Sequence, residues 1–589
     1  MTQFPRPAAE KKVQSFFGRL FASQPLFASQ PRAVWLALLG TLAGLILLQI
    51  WRPYYFFNDD NMSGWYPAAA EVARRLWSGQ TPFFNEYLFG GYELLKDPAS
   101  LCFWNPFFLL LSPLLISPWK MAFVDCYASL QLLLCAFAFA HLLVRLRALR
   151  NLELADSHIG FLSVSYTLSI WAIVTGPNWV TFLANQAALP IIFLGLLHER
   201  RRAGTILVTC GLLNSLLAGH LNSFVLSLVF ITIFIGIEAL RERNRELLLR
   251  WLCGGAFALL LASPLLAIAL QGFSQMARSN AGKPNSDALL AMPFGVFAGS
   301  YFTGFFGSLF GTFGLLFMPN GISSAIVFTP ASYWIFHSLG ARKKLSSLEW
   351  ACLATAAFVV VSVVRPPWLS SILSSIPLLR STRIPFREIF IFLFFIHVFI
   401  ALRPVGVSRL MRRTTAGIGV GVFLVSLLLF RPPAFTPMPL DRQLLLSGEA
   451  ERFWERVRPT LPADAVFLPV VESEFSVPDR VDVPWVLMNA YNYPATNRTP
   501  SSLGYIIKGM NMAEPALGNA KLLSPIGCAL IQDIPRLRAA NPKLRFFVLR
   551  SRDPVRIELW DGARKTPLPV PVLPRVAENR WDLIPRTSP

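Results

Sequence analysis

Apolar residues recur along this chain in runs of about 18 to 20, the length that a helix needs to cross a bilayer. Eleven such runs are predicted as transmembrane helices, near residues 34–51, 121–144, 158–176, 179–197, 204–219, 222–240, 251–270, 321–340, 348–364, 388–403 and 415–430. The 103–118 segment is apolar but short, and Pro106, Pro113 and Pro118 interrupt it, so it reads as an interfacial or re-entrant piece. Past Arg431 the pattern turns polar and proline-rich. Short β-like runs follow at Val466–Val471 and Phe546–Leu549, and Arg556–Trp560 alternates like a half-buried strand before an Asp561-Gly562 turn.

The expected fold is therefore an all-α polytopic membrane protein of about 11 transmembrane helices with a C-terminal extracytoplasmic mixed α/β domain. The segments are 1–33, a cytoplasmic N-terminus; 34–430, a transmembrane domain with an outer loop over 52–120; and 431–589, a soluble domain. The first long apolar run lacks a small-residue cleavage site, which predicts a retained anchor.

Composition agrees with this pattern. Hydrophobic residues make up 54% of the 589 and charged residues 15%, against roughly 25% charged in soluble domains. The net charge of +21 would suit nucleic acid, but the arginines cluster in short segments between the runs, so no nucleic-acid partner is expected. Arg145/Arg147/Arg150, Arg200–Arg202, Arg241–Arg250, Arg342–Lys344 and Arg403–Arg413 fall at alternate connections, with the basic N-terminus on the same side. Positive residues are retained in the cytoplasm, so the 52–120 loop and the tail should face outward. The seven cysteines show neither CxxC nor Cys/His metal spacing.

The chemistry concentrates in the 52–120 loop. Asp59 and Asp60 stand just beyond the first span, where carboxylates are costly unless they serve a purpose. Attack on an activated sugar carbon needs a base for the acceptor proton, which either could supply; a solvated turn that stops the helix is the bland alternative. Glu86, Glu93 and Asp97 share the loop and could orient an acceptor or hold a divalent cation, although no spacing requires a metal and no cofactor is certain. On the same outer side, Arg380, Arg383 and Arg387 stand in a segment with an Arg-x-Pro-x-Arg core, from Arg383 to Arg387, suited to a lipid-borne phosphate. Headgroup snorkelling or pairing with Glu388 would also account for them. His220, after Gly219, could donate to phosphate or serve only the fold.

These pieces, with Trp65-Tyr66-Pro67, Leu76–Gln80, Phe89-Gly90-Gly91, Asn105-Pro106-Phe107 and Gly504-Tyr505, resemble the bacterial YfhO-like membrane proteins of the GT-C glycosyltransferase superfamily. The resemblance implies an extracytoplasmic site, Asp59 or Asp60 as base, and a polyprenyl-phosphate sugar donor held by Arg380, Arg383, Arg387 and His220. The expected protein is then an enzyme of the bacterial inner membrane, embedded in lipid, that glycosylates an envelope glycan, lipid or protein. A polysaccharide polymerase or ligase using lipid-pyrophosphate glycans, or a non-enzymatic lipid-carrier transporter, would use similar groups. Extra charges at Glu93, Lys96 and Asp97 depart from the family pattern, as does a tail without its usual strand motif.

Overall fold

The computed structural model describes residues 31–57, 61, 65–85, 92–117, 119–242, 245–275, 294, 297–298, 301, 327–340, 344–375, 385–403, 409–429, 466–471, 529–540, 542, 544–550 and 556–568. These are mostly helical. α1 (Arg32–Trp51) and the short α2 (Tyr66–Trp77) lead to an antiparallel pair, β1 (Phe84–Asn85) with β2 (Tyr92–Glu93). Next come α3 (Pro106–Leu111), α4 (Phe123–Arg150), α5 (Asp156–Thr167), α6 (Ile170–Asn178), α7 (Phe182–Leu196), α8 (Arg201–Leu216), α9 (Leu221–Glu242) and α10 (Arg245–Gln275). The apolar part closes with α11 (Trp334–Gly340), α12 (Ser347–Val364), α13 (Pro367–Ser375), α14 (Ile389–Leu402) and α15 (Arg409–Leu429).

Among the described residues seven helices are long and apolar enough to cross a bilayer: Arg32–Trp51, Phe123–Arg150, Asp156–Pro177, Leu221–Glu242, Arg245–Gln271, Ser347–Val364 and Leu410–Leu427. An eighth is added if Pro98–Trp104 and Pro106–Ile116, bent by 59° at Asn105, count as one. Four of the eleven expected spans differ. α7, α8 and α14 have 15, 16 and 14 residues, or about 21–24 Å at 1.5 Å per residue, short of a hydrocarbon core of about 30 Å. The fourth, 321–340, is described only from Val327 and there holds the seven-residue α11.

The reason for two of these is visible in the packing. All of α14 is buried and almost all of α7, so their apolar surface meets protein instead of lipid. Phe394 lies 4.8 Å from Phe193, 5.7 Å from Phe139 and 5.8 Å from Tyr166 between ring centroids. Such edge contacts supply attraction that lipid tails, as apolar as the side chains, cannot.

The arginine clusters meet at one end of the bundle. Arg145 donates to the Leu197 carbonyl and Arg250 to those of Leu196 and His198, beyond the end of α7. Arg150 pairs with Glu238 at 3.6 Å and Arg403 with Glu349 at 3.7 Å, joining α4 to α9 and α12 to the end of α14. The opposite end gathers the close of α1, the α6–α7 and α8–α9 connections, and the start of α14.

In the tail, β3 (Val466–Val471), β4 (Ala529–Leu530), β5 (Leu544–Arg550), β6 (Arg556–Asp561) and β7 (Arg564–Leu568) form a sheet in the order β4-β3-β5-β6-β7. β3 is parallel to β4 and β5, whereas β5, β6 and β7 are antiparallel. Gly562 supplies the positive φ of the β6–β7 turn. α16 (Ile534–Ala540) precedes β5.

Candidate functional site

Beyond α1 the chain is fixed by polar contacts. Gln49 donates to Asp125, in the first turn of α4, and accepts from the Tyr54 amide at 2.9 Å. Tyr54 adopts a positive φ of 57°, uncommon for a ring-bearing residue, and these bonds hold it there. The Phe56 amide donates to the same Asp125 oxygen at 3.0 Å, and the Tyr55 hydroxyl donates to the Ile173 carbonyl at 3.1 Å.

Asn61 fastens the far side of the loop. Its carboxamide nitrogen lies 2.9, 2.6 and 2.9 Å from the carbonyls of Phe56, Gly176 and Pro177, and its oxygen accepts from the Val180 amide at 2.8 Å. At 1% exposure Asn61 is a buried clamp on the connection from α6 to α7. Asp59 and Asp60 lie outside the described residues, as do Glu86, Arg380 and Arg383.

The same connection carries the other predicted residues. The Arg387 guanidinium lies 3.8 Å from the centre of the Trp179 ring and 5.1 Å from that of Phe182. Such cation–π contact holds the planar group while leaving its charge undiminished. Its backbone carbonyl accepts from the Trp171 indole at 3.1 Å. His220 stacks on Phe182 with centroids 3.8 Å apart, and its Nε2 is 2.8 Å from the Thr181 hydroxyl. Burial, and then the charge of Arg387, push the His220 imidazole well below its usual range, so it is neutral near pH 7.

Gly219 explains how His220 reaches this place. Its φ is +78°, and a Cβ there would lie 2.4 Å from the Ala99 carbonyl oxygen. Only glycine allows the α8–α9 turn to close against the Pro98–Trp104 turn. Asp97 caps that turn, accepting from the Ala99 amide at 2.9 Å, and is buried. The turn that it caps abuts Gly219, next to His220. Glu93 is placed in β2, opposite Phe84.

The structure brings His220 and Arg387, two of the residues singled out in the sequence, to one connection, Gly176–Phe182, which Asn61, the residue next to Asp60, also contacts. Asn61, Trp179, Thr181, Phe182 and Asp125, which the sequence patterns do not single out, hold the surroundings of this connection. The available signal is polar and aromatic residues interrupting apolar runs, as in Asn178-Trp179-Val180-Thr181-Phe182. Glu388, an alternative partner for the arginines, accepts from the Ser223 hydroxyl at 2.7 Å, and the Arg387 charge acts on it as well. Among the described residues no three His, Cys, Asp or Glu side chains gather as metal ligands. The arrangement fixes a guanidinium on Trp179 and Phe182 and sets a neutral imidazole beside the same ring of Phe182. No family model, curated protein or solved structure matches this chain.

Proposed function

We propose that this chain is an integral-membrane glycosyltransferase of the GT-C type, YfhO-like, that moves a sugar from a polyprenyl-phosphate donor to an envelope glycan, lipid or protein. The observation that supports the reading is the shared connection Gly176–Phe182: Asn61, beside Asp60, clamps it, Arg387 lies on its Trp179, and His220 meets its Thr181 and Phe182. A base and a phosphate clamp must stand on either side of one reacting carbon, so a common support is what the chemistry needs.

In this reading Asp59 or Asp60 takes the proton from the acceptor hydroxyl. The hydroxyl oxygen then bonds to the sugar carbon as the bond from that carbon to the donor phosphate breaks. Arg387, with Arg380 and Arg383, stabilises the phosphate that leaves, and His220 donates a hydrogen bond to it. Glu86 and Glu93 orient the acceptor or a divalent cation. The site faces outward from the bacterial inner membrane and the arginine-rich end faces the cytoplasm, following the retention of positive charge inside. The strands of the tail belong to an extracytoplasmic mixed α/β domain in this reading.

The test is transfer by purified protein from a short-chain polyprenyl-phosphate sugar to acceptors extracted from a deletion strain. Asp59→Asn or Asp60→Asn should lower turnover by roughly 100-fold or more. Arg387→Ala should lose about 10- to 150-fold in donor affinity or turnover, with Arg387→Lys recovering only part. Full transfer by both aspartate variants removes the proposed base. Accumulation of complete, unpolymerised glycan repeats in the deletion strain would point to a polymerase instead.

A further inference from the structure

Four arginines at the arginine-rich end each meet a carboxylate: Arg145 meets Glu199, Arg147 Asp156, Arg150 Glu238 and Arg403 Glu349. Arg412, in the first turn of α15, meets none among the described residues, and its Nε is buried with no hydrogen-bond partner. The residue as a whole is half-buried, so the end of its guanidinium still reaches the surface. A charge held this way without a counter-ion is costly, and an anion from outside the chain can supply one.

Two imidazoles stand beside it. His337 on α11 places Nε2 3.3 Å from the Thr415 hydroxyl, one turn along α15 from Arg412. Thr415 gives its own proton to the Met411 carbonyl at 3.0 Å, so it accepts from His337 and ties α11 to α15. His158, near the start of α5, meets the Trp334 ring edge-on with centroids 5.6 Å apart, one turn before His337 on α11. The Arg412 charge acts on both imidazoles. Burial, and then that charge, lower the His337 imidazole from its ordinary range, so it is neutral near pH 7. The acid nearest in the chain, Asp156, is held by Arg147 at 2.6 Å. The Ser338 hydroxyl meets the Arg403 carbonyl at 3.5 Å, which sets the whole group at the arginine-rich end.

Beside His337 and Arg412 in the chain, Phe336, Leu339, Leu410 and Met411 are exposed. An uncompensated guanidinium bordered by apolar surface suits a molecule with an anionic head and apolar tails. We propose that Arg412, flanked by His337 and His158, binds the headgroup phosphate of an anionic phospholipid, whose acyl chains lie along Phe336, Leu339 and Leu410. The guanidinium fork matches two phosphate oxygens, and neutral His337 leaves the single lipid charge to answer Arg412.

Titrating dioctanoyl phosphatidylglycerol into the full chain in dodecyl maltoside, read by microscale thermophoresis, tests the site. The wild type should bind this lipid saturably and prefer it to dioctanoyl phosphatidylcholine, whose headgroup carries its own cation. Arg412→Gln should lose about 10-fold or more in affinity, and Arg412→Lys, which keeps the charge without the fork, should lose less. Arg413→Gln removes an equal charge from the next, exposed position and should stay within about twofold of wild type. Retained affinity in Arg412→Gln, or an equal loss in Arg413→Gln, would overturn the site and leave only general attraction between a basic surface and anionic lipid. Displacement of the lipid by inorganic phosphate at matched concentration would overturn the lipid as occupant in favour of free phosphate.

Discussion

Replacing Asn61 by alanine removes the clamp between the loop after α1 and the α6–α7 connection. The side chain accepts from the Val180 amide at 2.8 Å, and its two N–H hydrogens serve three carbonyls within 2.9 Å. Three buried hydrogen bonds at about 1 kcal/mol net each give a loss of about 3 kcal/mol. Leaving the Val180 N–H buried without a partner would add about 1–3 kcal/mol unless water enters. Asn61→Asp keeps the acceptor for Val180 but turns a carboxylate toward three carbonyl oxygens, so it should be no milder. Unfolding by SDS titration, followed through tryptophan fluorescence, reads the difference directly. A loss of 3 kcal/mol moves the unfolding equilibrium by about 150-fold. If both variants unfold within about 0.5 kcal/mol of wild type, Asn61 is not a buried clamp. In the transfer assay the same variants should lower turnover more than donor affinity, because Arg387 keeps its seat on Trp179.

Gly219→Ala forces a side chain into a left-handed turn 2.4 Å from the Ala99 carbonyl oxygen and should cost about 2–4 kcal/mol; unchanged thermal stability in detergent would refute the tight closure. Neutral His220 makes the fold sensitive to acid: the unfolded imidazole takes up its proton near pH 6.5 and the folded one resists until lower pH, so stability is full above about 6.5 and declines below it. His220→Gln, which can still bond Thr181, should flatten part of that decline in melting curves taken from pH ~7.5 to ~5; an identical slope would assign it to other groups.

Much of this architecture is legible from apolar run length alone, because a long lipid-facing helix needs little beyond about 20 apolar residues. The method falters at α7 and α14, where the sequence is apolar because the helix is surrounded by protein. Run length cannot separate those two environments, and only the 14 and 15 residues of the helices themselves betray them. The tail strands were readable because Arg556–Trp560 alternates and Asp561-Gly562 marks a turn, and β6 and the turn after it stand there. The site divides in the same way. Polar side chains such as Arg387 and His220 stand out against an apolar background. Asn61 does not, since its importance lies in carbonyls more than 110 positions away, and no local pattern announces a partner at that separation.

The arginine-rich end has a further consequence, for experiments on orientation. Arg250 and Arg145 finish α7 by donating to the carbonyls of Leu196, its last residue, and of Leu197 and His198 just beyond it. The same guanidinium groups are the charges that would hold this end on one side during insertion. Neutralising them therefore perturbs two processes together: a variant that emerges inverted and one that emerges correctly but frays at α7 would both lose function. Relocating a positive charge to a nearby exposed position, while Arg145 and Arg250 keep their carbonyls, separates the two, because only the signal read by the insertion machinery then changes.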